Sequence, residues 1–320
     1  METERISSLS VGGGEAVCLP AQRPPKKRRI NKEEIAGTAL APIPLVGFAI
    51  FGFVPLLFGM AMAFMDMKDF NIFAGEWVGL ANFKKVLLDE MFWEAIGNTF
   101  ILGSSTIISL VFSLAIAYLL NKPIRGQKAL RMIYFVPYVC SSVAISLMWK
   151  YMFNTQYGII NQILGNTGEN AIDWLGDSRY FSWAVILMSV WSGMGYGIVL
   201  FTAALTGVNH STVEAATIDG AGEVSIFFHV VFPSISPTTF YLLVMGVIGA
   251  LQSFATTHTL VGENSPNGDG VTIVFYLWER VFTTKFDLGA ASASAWYLSF
   301  MILGLTLLNF WGSKKWVSYD

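Results

Sequence analysis

YFSWAVILMSVWSGMGYGIVLFTAALTGV, residues 180–208, is a run of 29 uncharged residues that decides the fold. Its apolar residues follow one another continuously, without the helical or strand spacing of a half-buried soluble element. About 20 apolar residues cross a bilayer as an α-helix, because a helix satisfies its backbone polar groups internally. The run therefore predicts a membrane-spanning helix.

Five further stretches of the same kind lie before and after it. Of the 320 residues, 54% are hydrophobic and only 13% are charged, about half the charged fraction of an ordinary soluble domain. We therefore predict an all-α, polytopic membrane protein with six transmembrane helices in one domain, 39–313. The expected spans are residues 40–65, 98–120, 132–153, 180–208, 237–261 and 288–313.

Lysine and arginine are unevenly distributed between the segments that flank these spans. Residues 1–38 carry seven and residues 121–131 carry four, whereas the longer segment 66–97 carries three. By the positive-inside rule the basic segments face the cytoplasm. We predict a multi-pass protein of the prokaryotic cytoplasmic membrane with both termini in the cytoplasm. The N-terminal tail, 1–38, is expected to be disordered, and 314–320 forms the C-terminal tail.

The sequence lacks the signatures of several kinds of chemistry. It has no Gly-Lys dipeptide of a Walker A loop and no HExxH or GxSxG motif. Cys18 and Cys140 have no spacing suited to a metal or a disulfide framework. No pair of acidic residues lies inside a span, so a carboxylate proton relay is not expected. We predict that the chain is not an enzyme, binds no metal or cofactor, and has no nucleic-acid partner.

The segment 209–236, between the fourth and fifth spans, contains no Lys or Arg. Residues 210–237 are HSTVEAATIDGAGEVSIFFHVVFPSISP. Ser211 and Glu214 have the spacing of a capping box, two alanines follow, and Gly220 supplies a break. This pattern predicts a helix, a turn and a second helix, suited to a groove on a partner protein. The alternative is a connector that touches only lipid head groups.

EAA at 214–216, DGA at 219–221 and FPSISP at 232–237 resemble the EAA loop of importer permeases in the ATP-binding cassette superfamily. In that family the loop forms a coupling helix that sits in a cleft of the cytoplasmic ATPase subunit. We call 209–236 the coupling segment. By resemblance, the residues that contact the ATPase are Glu214, Ala215, Ala216, Asp219, Gly220 and Ala221.

The chain departs from the family pattern in the second half of this segment. Relatives often have arginines after DGA, whereas this chain has Glu223, Ile226 and His229. Any salt bridge that those arginines make is therefore missing here or supplied from elsewhere.

The resemblance extends over roughly residues 40–312. YFVPY at 134–138, YGIIN at 157–161 and DWLGD at 173–177 look like the carbohydrate-uptake branch. The resemblance implies a type I importer permease that forms half of a translocation pathway for a sugar. The implied partners are a second homologous permease, two ATPase subunits that bind ATP and Mg, an extracytoplasmic sugar-binding protein, and lipid.

Polar and aromatic residues in the fourth and fifth spans are candidates for the substrate pathway, because hydroxyls pair with sugar hydroxyls and aromatic faces stack on sugar rings. The candidates are Trp191 and Tyr196 on the fourth span, and Gln252, Ser253, Thr256 and Thr257 on the fifth. Gln252 and Thr256 are four residues apart and share a face of a continuous helix. Interhelix hydrogen bonding and simple packing are the alternatives.

Two other functions stay open at this point. The chain could be an importer permease for a non-sugar solute, such as an amino acid, a peptide or phosphate. It could also be a secondary transporter or a structural membrane protein without an ATPase.

Overall fold

The computed structural model describes residues 40, 42–67, 75–261, 268–283 and 286–318. The predicted N-terminal tail, 1–38, lies outside the described residues. The chain divides into two compact units, Met1–Pro55 and Leu56–Asp320. In the first unit the described residues form a helix that passes through a π-helical turn, Ala49–Phe53.

Helices make up most of the described structure. Among the described residues, strands are confined to β1, Met65–Asp66, and β2, Glu76–Trp77, which pair antiparallel. The α-helices are α1 Pro42–Phe48, α2 Val54–Met62, α3 Ala81–Leu87, α4 Glu90–Gly103, α5 Ser105–Asn121, α6 Gln127–Val139, α7 Ser142–Met152, α8 Ile159–Ile163, α9 Ser178–Thr206, α10 His210–Ile218, α11 Glu223–Ile226, α12 Phe232–Leu251, α13 Ala255–Val261, α14 Ile273–Phe282 and α15 Leu288–Ser313.

Several of these helices are long and apolar enough to cross a membrane. Within the described residues they form five segments, or six if the bent pair α6 and α7 counts as one span. The five are Pro42–Met62, Glu90–Asn121, Ser178–Thr206, Glu223–Leu251 and Leu288–Ser313. The predicted all-α, polytopic fold is confirmed. The second span begins earlier than predicted, because Asp89 caps α4 by accepting a hydrogen bond from the backbone N–H of Met91.

The predicted third span, 132–153, is two helices and not one. α6 and α7 meet at an angle of 99°. Pro137 lies in the last turn of α6, where it removes a backbone donor and crowds the preceding turn. Cys140 and Ser141 then adopt extended backbone conformations, with ψ of 153° and 132°. The bend follows from these two residues, which apolar composition alone does not reveal.

The predicted fifth span, 237–261, is also interrupted. α12 ends at Leu251, and α13 begins only at Ala255. The carbonyl oxygen of Ser253, inside the break, accepts a hydrogen bond from the Thr272 hydroxyl at 2.8 Å. A broken membrane helix persists only where its freed backbone groups find such partners. The face that Gln252 and Thr256 were predicted to share on one continuous helix therefore does not exist.

α9 is a central helix of the second unit and packs against α5 and α6. The packing is close because α9 presents glycines to both neighbours. A Cβ on Gly195 would overlap the backbone carbonyl of Tyr134 on α6, and one on Gly197 would come within 2.6 Å of the Ser113 hydroxyl on α5. Small residues allow this approach of helices in lipid.

A charged cluster joins α3, the start of α4, α14 and the start of α15. Arg280 pairs with Asp89, whose carboxylate also accepts a hydrogen bond from the Tyr276 hydroxyl at 2.8 Å. Lys85 pairs with Asp287 at 2.5 Å, and Asp287 caps α15 by accepting from the backbone N–H of Ala290. These contacts tie four helices together away from the coupling segment.

Burial raises the pKa of Tyr276 to about 12, with the negative charges of Asp287 and Glu279 as further causes. Its side chain is almost fully buried. The neutral phenol is therefore the form that the cluster holds.

Candidate functional site

A cavity of about 460 Å³ lies between α5, α9 and α12. Its wall also includes residues from the end of α4, from α6 and from α13. Small, apolar and hydroxyl-bearing side chains form the wall, which leaves room between helices that elsewhere are in contact. The cavity is the first candidate for a functional site.

Serines of α5 form one side of this cavity. Ser105, Ser109 and Ser113 recur every four residues and therefore lie on one helix face. The Ser113 hydroxyl, which has one proton to donate, lies within hydrogen-bonding distance of two backbone carbonyls, that of Ser109 at 2.6 Å and that of Met194 on α9 at 3.0 Å. We call Ser105, Ser109 and Ser113 the serine stripe. Part of this stripe thus connects two helices, and part of it faces the cavity.

Five hydroxyls in the cavity wall have no hydrogen-bond partner among the described residues. They belong to Ser109, Ser189, Ser253, Thr256 and Tyr138. Polar groups inside a membrane protein are costly to leave unpaired. These hydroxyls are therefore available to a solute or to water that enters the cavity.

Three tyrosines meet at the end of the cavity nearest the coupling segment. The rings of Tyr138, on α6, and Tyr196, on α9, stack with centroids 4.9 Å apart and an interplanar angle of 16°. The hydroxyls of Tyr196 and Tyr241, on α12, are 3.2 Å apart and within hydrogen-bonding distance. We call these residues the tyrosine trio. About half of the Tyr138 side chain stays exposed, so an aromatic surface borders the cavity.

The structure places the predicted pathway residues in two groups. Tyr196, Ser253, Thr256 and Thr257 line the cavity together. The other two candidates, Trp191 and Gln252, do not line it. Their direct contact with a substrate stays a prediction.

Each of these two residues has another environment. Trp191 packs edge-to-face against Trp149 of α7, with centroids 5.7 Å apart. Gln252 caps the end of α12 with an exposed side chain. The serine stripe, Ser189 and Tyr138 are wall residues that the sequence analysis missed. The four-residue spacing of the serines is the signal that could have found part of this set.

The coupling segment is the second candidate site. The predicted helix, turn and helix are present as α10, a turn and α11, and α11 continues through a π-helical turn into α12. The predicted capping box is wrong. α10 begins at His210, so Asn209 is its cap and accepts a hydrogen bond from the backbone N–H of Ser211 at 3.0 Å.

Gly220 makes the turn possible. Its φ is +82°, in the left-handed region that only glycine adopts without strain. Its N–H donates to the carbonyl of Thr217 at 3.1 Å, and the N–H of Ala221 donates to Ala216 at 3.0 Å. These bonds close the end of α10, as in a glycine-based helix C-cap.

The two faces of α10 have different surroundings. Val213 and Ala216, together with Ala221 after the turn, pack against a buried cluster that contains Phe201 and Leu205 of α9. The remaining predicted contact residues, which are Glu214, Ala215, Asp219 and Gly220, are exposed. One face of the coupling segment thus fixes it to the spans, and the other is free in this chain.

The exposed face also carries apolar side chains that the motif did not indicate. Ile218 is 86% exposed and Val224 is 71% exposed. The only ion pair of the coupling segment among the described residues joins Glu223 to Lys122 of the preceding basic loop, at 3.3 Å. An exposed surface of apolar and acidic groups is suited to contact another protein.

No group of His, Cys, Asp or Glu side chains within the described residues is arranged to hold a metal ion. A helical membrane domain with a polar cavity between its helices is typical of membrane transport subunits. The family model for the binding-protein-dependent transport system inner membrane component matches residues 109–313. The chain belongs to this family, which is a transport family and not an enzyme family.

Relatives support this assignment along most of the chain. The probable ABC transporter permease protein YesP of Bacillus subtilis (strain 168) is 33% identical over 301 residues, with 92% of this chain and 96% of that protein covered. The diacetylchitobiose uptake system permease protein NgcF of Streptomyces coelicolor (strain ATCC BAA-471 / A3(2) / M145) is 30% identical over 302 residues, with 89% and 84% covered.

The fold is also that of a solved transporter. A chain in the crystal structure of a bacterial ABC transporter involved in the import of the acidic polysaccharide alginate superposes with a TM-score of 0.77 and 22% identity. The match covers 89% of this chain and 96% of that chain. At this identity the likeness establishes the fold.

Proposed function

We propose that this chain is the permease subunit of an ATP-driven, binding-protein-dependent carbohydrate importer. In this proposal the chain forms half of the translocation pathway and receives the work of ATP binding through the coupling segment. The observation that carries the proposal is the two-sided α10, which is packed on the spans by one face and exposed by the other.

The coupling role is supported by the chemistry of the exposed face. Glu214 and Asp219 present carboxylates, Ile218 presents an apolar side chain, and Gly220 fixes the direction in which the chain leaves α10. Such a surface fits a cleft with an apolar floor and a basic rim. We assign that cleft to a separate ATPase subunit, which would also bind ATP and Mg.

A carbohydrate cargo is supported by the cavity and by the named relatives. Hydroxyls that both donate and accept hydrogen bonds, beside an exposed tyrosine ring, match the hydroxyls and C–H faces of a sugar. NgcF is named for diacetylchitobiose, and the transporter that superposes is described as importing alginate. We propose Tyr138 and Ser109 as substrate contacts, in addition to the predicted Tyr196, Ser253, Thr256 and Thr257.

The proposed assembly has a defined orientation. The basic segments 1–38 and 121–131 face the cytoplasm, with the coupling segment on the same side. The pair between Lys122 and Glu223 is consistent with this arrangement, because it joins the basic loop to the coupling segment. A second, homologous permease completes the pathway, and an extracytoplasmic binding protein delivers the sugar to the opposite side.

Ile218→Asp tests the coupling role with little risk to the fold, because the side chain is 86% exposed. The matched control is Ile163→Asp, at a side chain of α8 that is 77% exposed. Both variants are purified with the partner permease and the ATPase and reconstituted in lipid. The readout is ATP hydrolysis stimulated by the binding protein and sugar.

We expect Ile218→Asp to reduce stimulated hydrolysis by at least about tenfold, which corresponds to 1.4 kcal/mol, and Ile163→Asp to leave it near the wild-type rate. Gly220→Ala and Gly222→Ala provide a second pair. A side chain at Gly220 is strained by φ of +82°, whereas Gly222 has φ of −71° and open space around it. If Ile218→Asp and Gly220→Ala both couple normally, the segment is only a connector.

A further inference from the structure

We propose that the half-pathway of this chain passes an uncharged carbohydrate and not an acidic one. The inference rests on the proposed function and adds to it the charge of the solute. It is carried by the cavity wall, whose polar side chains are the hydroxyls of serine, threonine and tyrosine.

The hydroxyls that are available in the wall match neutral sugar hydroxyls. The side-chain hydroxyls of Ser109, Ser189, Ser253 and Thr256 have no hydrogen-bond partner among the described residues. Each of these side chains donates one hydrogen bond and accepts others, as a sugar hydroxyl does. A wall hydroxyl and a sugar hydroxyl therefore form a hydrogen bond with either one as the donor. A carboxylate or phosphate only accepts, so it would use the donor capacity of the wall and leave the acceptor capacity unused.

An acidic solute would also meet a large desolvation cost in this position. Moving an ionised carboxylate out of water costs several kcal/mol even after the protein relaxes, unless a cation pairs with it. In a lipid-embedded helix bundle, such a cation has to come from residues that line the pathway, in this chain or in the second permease. The wall of this cavity offers neutral dipoles.

Arg131 is the basic side chain of α6 nearest in sequence to Tyr138, and it lies outside the cavity wall. One of its guanidinium nitrogens donates to the backbone carbonyl of Leu120 at 3.3 Å.

Two further groups that could supply positive charge lie on α7 and α13 and also have other partners. Lys150, in the last turn of α7, is exposed and donates to the backbone carbonyl of Thr259 at 3.5 Å. The ring of His258, on α13, lies among aromatic rings, with its centroid 4.6 Å from that of Trp278 and 5.0 Å from that of Phe254. Neither Lys150 nor His258 is part of the cavity wall.

Size and shape favour the same class of solute. The volume of about 460 Å³ is in the range of small-molecule sites. The tyrosine trio adds a half-exposed aromatic surface at one end. An aromatic face recognises the C–H surface of a sugar ring, and the negative face of its quadrupole disfavours an anion placed above it.

The test uses the complete transporter in proteoliposomes: this chain, its partner permease, the ATPase and the binding protein. Uptake and stimulated ATP hydrolysis are measured with short gluco-, galacto-, manno- and chito-oligosaccharides. The corresponding glucuronate, galacturonate and mannuronate oligomers of equal length provide the acidic members. We expect at least one neutral oligosaccharide to stimulate ATP hydrolysis. We expect its acidic counterpart to stimulate hydrolysis at least about tenfold less.

The outcomes separate this inference from the proposed function. If an acidic oligomer stimulates as strongly as its neutral counterpart, or if only acidic oligomers stimulate, the inference on charge is overturned and the carbohydrate importer stands. If no oligosaccharide of either kind stimulates, the inference and the proposed carbohydrate function both fail.

A matched pair of variants places the selectivity in the cavity wall. Thr256→Lys adds a cation to the wall, and Thr256→Met adds a side chain of similar length without charge. We expect the ratio of acidic to neutral uptake to be about tenfold higher for the lysine variant than for the methionine variant. Equal ratios would contradict a role of the wall in selecting by charge.

Discussion

The charged cluster and the cavity wall are both polar, but their chemistry is opposite. In the cluster, each carboxylate of Asp89 and Asp287 has a cation within the chain, and Tyr276 adds a hydrogen bond. In the wall, hydroxyls such as those of Ser109 and Thr256 have no partner among the described residues. The charges of the cluster thus hold helices together, whereas the neutral hydroxyls of the wall stay unpaired beside the cavity.

Asp89→Ala is the strongest test of the structural half of this comparison. Asp89 and Arg280 are mostly buried, with side chains 21% and 12% exposed. Removing the carboxylate leaves the guanidinium and the Tyr276 hydroxyl without their partner, at a cost of about 3 kcal/mol. We expect a marked loss of thermal stability of the purified protein in detergent.

Lys122→Ala is the control, because both members of its pair with Glu223 are exposed, Lys122 by 49% and Glu223 by 80%. Exposed ion pairs contribute about 0–1 kcal/mol. A loss of thermal stability from Asp89→Ala no larger than that from Lys122→Ala would show that the cluster does not hold the helices together.

Gly195→Ala tests the helix contacts that surround the cavity. The added Cβ would overlap the backbone carbonyl of Tyr134, which cannot move without shifting α6. Forcing extra atoms into a packed contact costs about 1–3 kcal/mol. The control is Gly249→Ala, because Gly249 lines the cavity and a Cβ there meets nothing within 4 Å.

We expect Gly249→Ala to keep or slightly raise thermal stability, since alanine has the higher helix propensity by about 1 kcal/mol. The two variants are compared by thermal unfolding of the same preparation. Equal stability of both would mean that α6 and α9 are not in close contact.

The two candidate sites differed in how far the sequence revealed them. The coupling segment was located because EAA and DGA both lie within one short stretch of sequence, residues 214–221. The φ of +82° at Gly220 explains why the motif needs glycine there. The sequence did not reveal which residues of the segment face outward. The exposure of Ile218 depends on how α10 packs against α9, and no local pattern encodes that.

The cavity depends on contacts between distant residues. Gln252 was assigned to it on the assumption of a continuous helix, but the break at Ser253 depends on Thr272, a partner outside that helix. Trp191 was assigned for its chemistry, but it packs on Trp149 of α7. The serine stripe was readable from its spacing, although its role became clear only opposite the glycines of α9.

Tyr138→Leu tests the functional half of the comparison. Tyr138 stacks on Tyr196 and keeps about half of its surface exposed beside the cavity. Leucine removes the aromatic face, whereas Tyr138→Phe keeps it and removes only the hydroxyl. An aromatic contact contributes about 0.5–1.5 kcal/mol beyond its area, so we expect a several-fold rise in the half-saturating sugar concentration for leucine.

The phenylalanine variant should stay close to the wild-type value, and basal hydrolysis without sugar should be the same in all three proteins. Uptake at several sugar concentrations gives the comparison. If leucine and phenylalanine behave alike, the ring of Tyr138 does not contact the solute.

The smallest expected effect is the pH dependence of the charged cluster. The pKa of Tyr276 is raised from 10 to about 12, so the neutral phenol stabilises the folded state fully below pH 10. That contribution is lost as the pH rises from 10 to 12, because the tyrosine of the unfolded chain ionises in this range while the folded protein still holds the neutral phenol that donates to Asp89. Tyr276→Phe removes the hydrogen bond at every pH, at a cost of about 1 kcal/mol. We therefore expect the wild type to be more stable than the variant at pH 8, with the difference decreasing between pH 10 and 12. Thermal unfolding of both proteins over this range measures it, since other alkaline titrations affect the two equally. A difference that stays constant to pH 12 would mean that the Tyr276 hydroxyl is not coupled to the cluster.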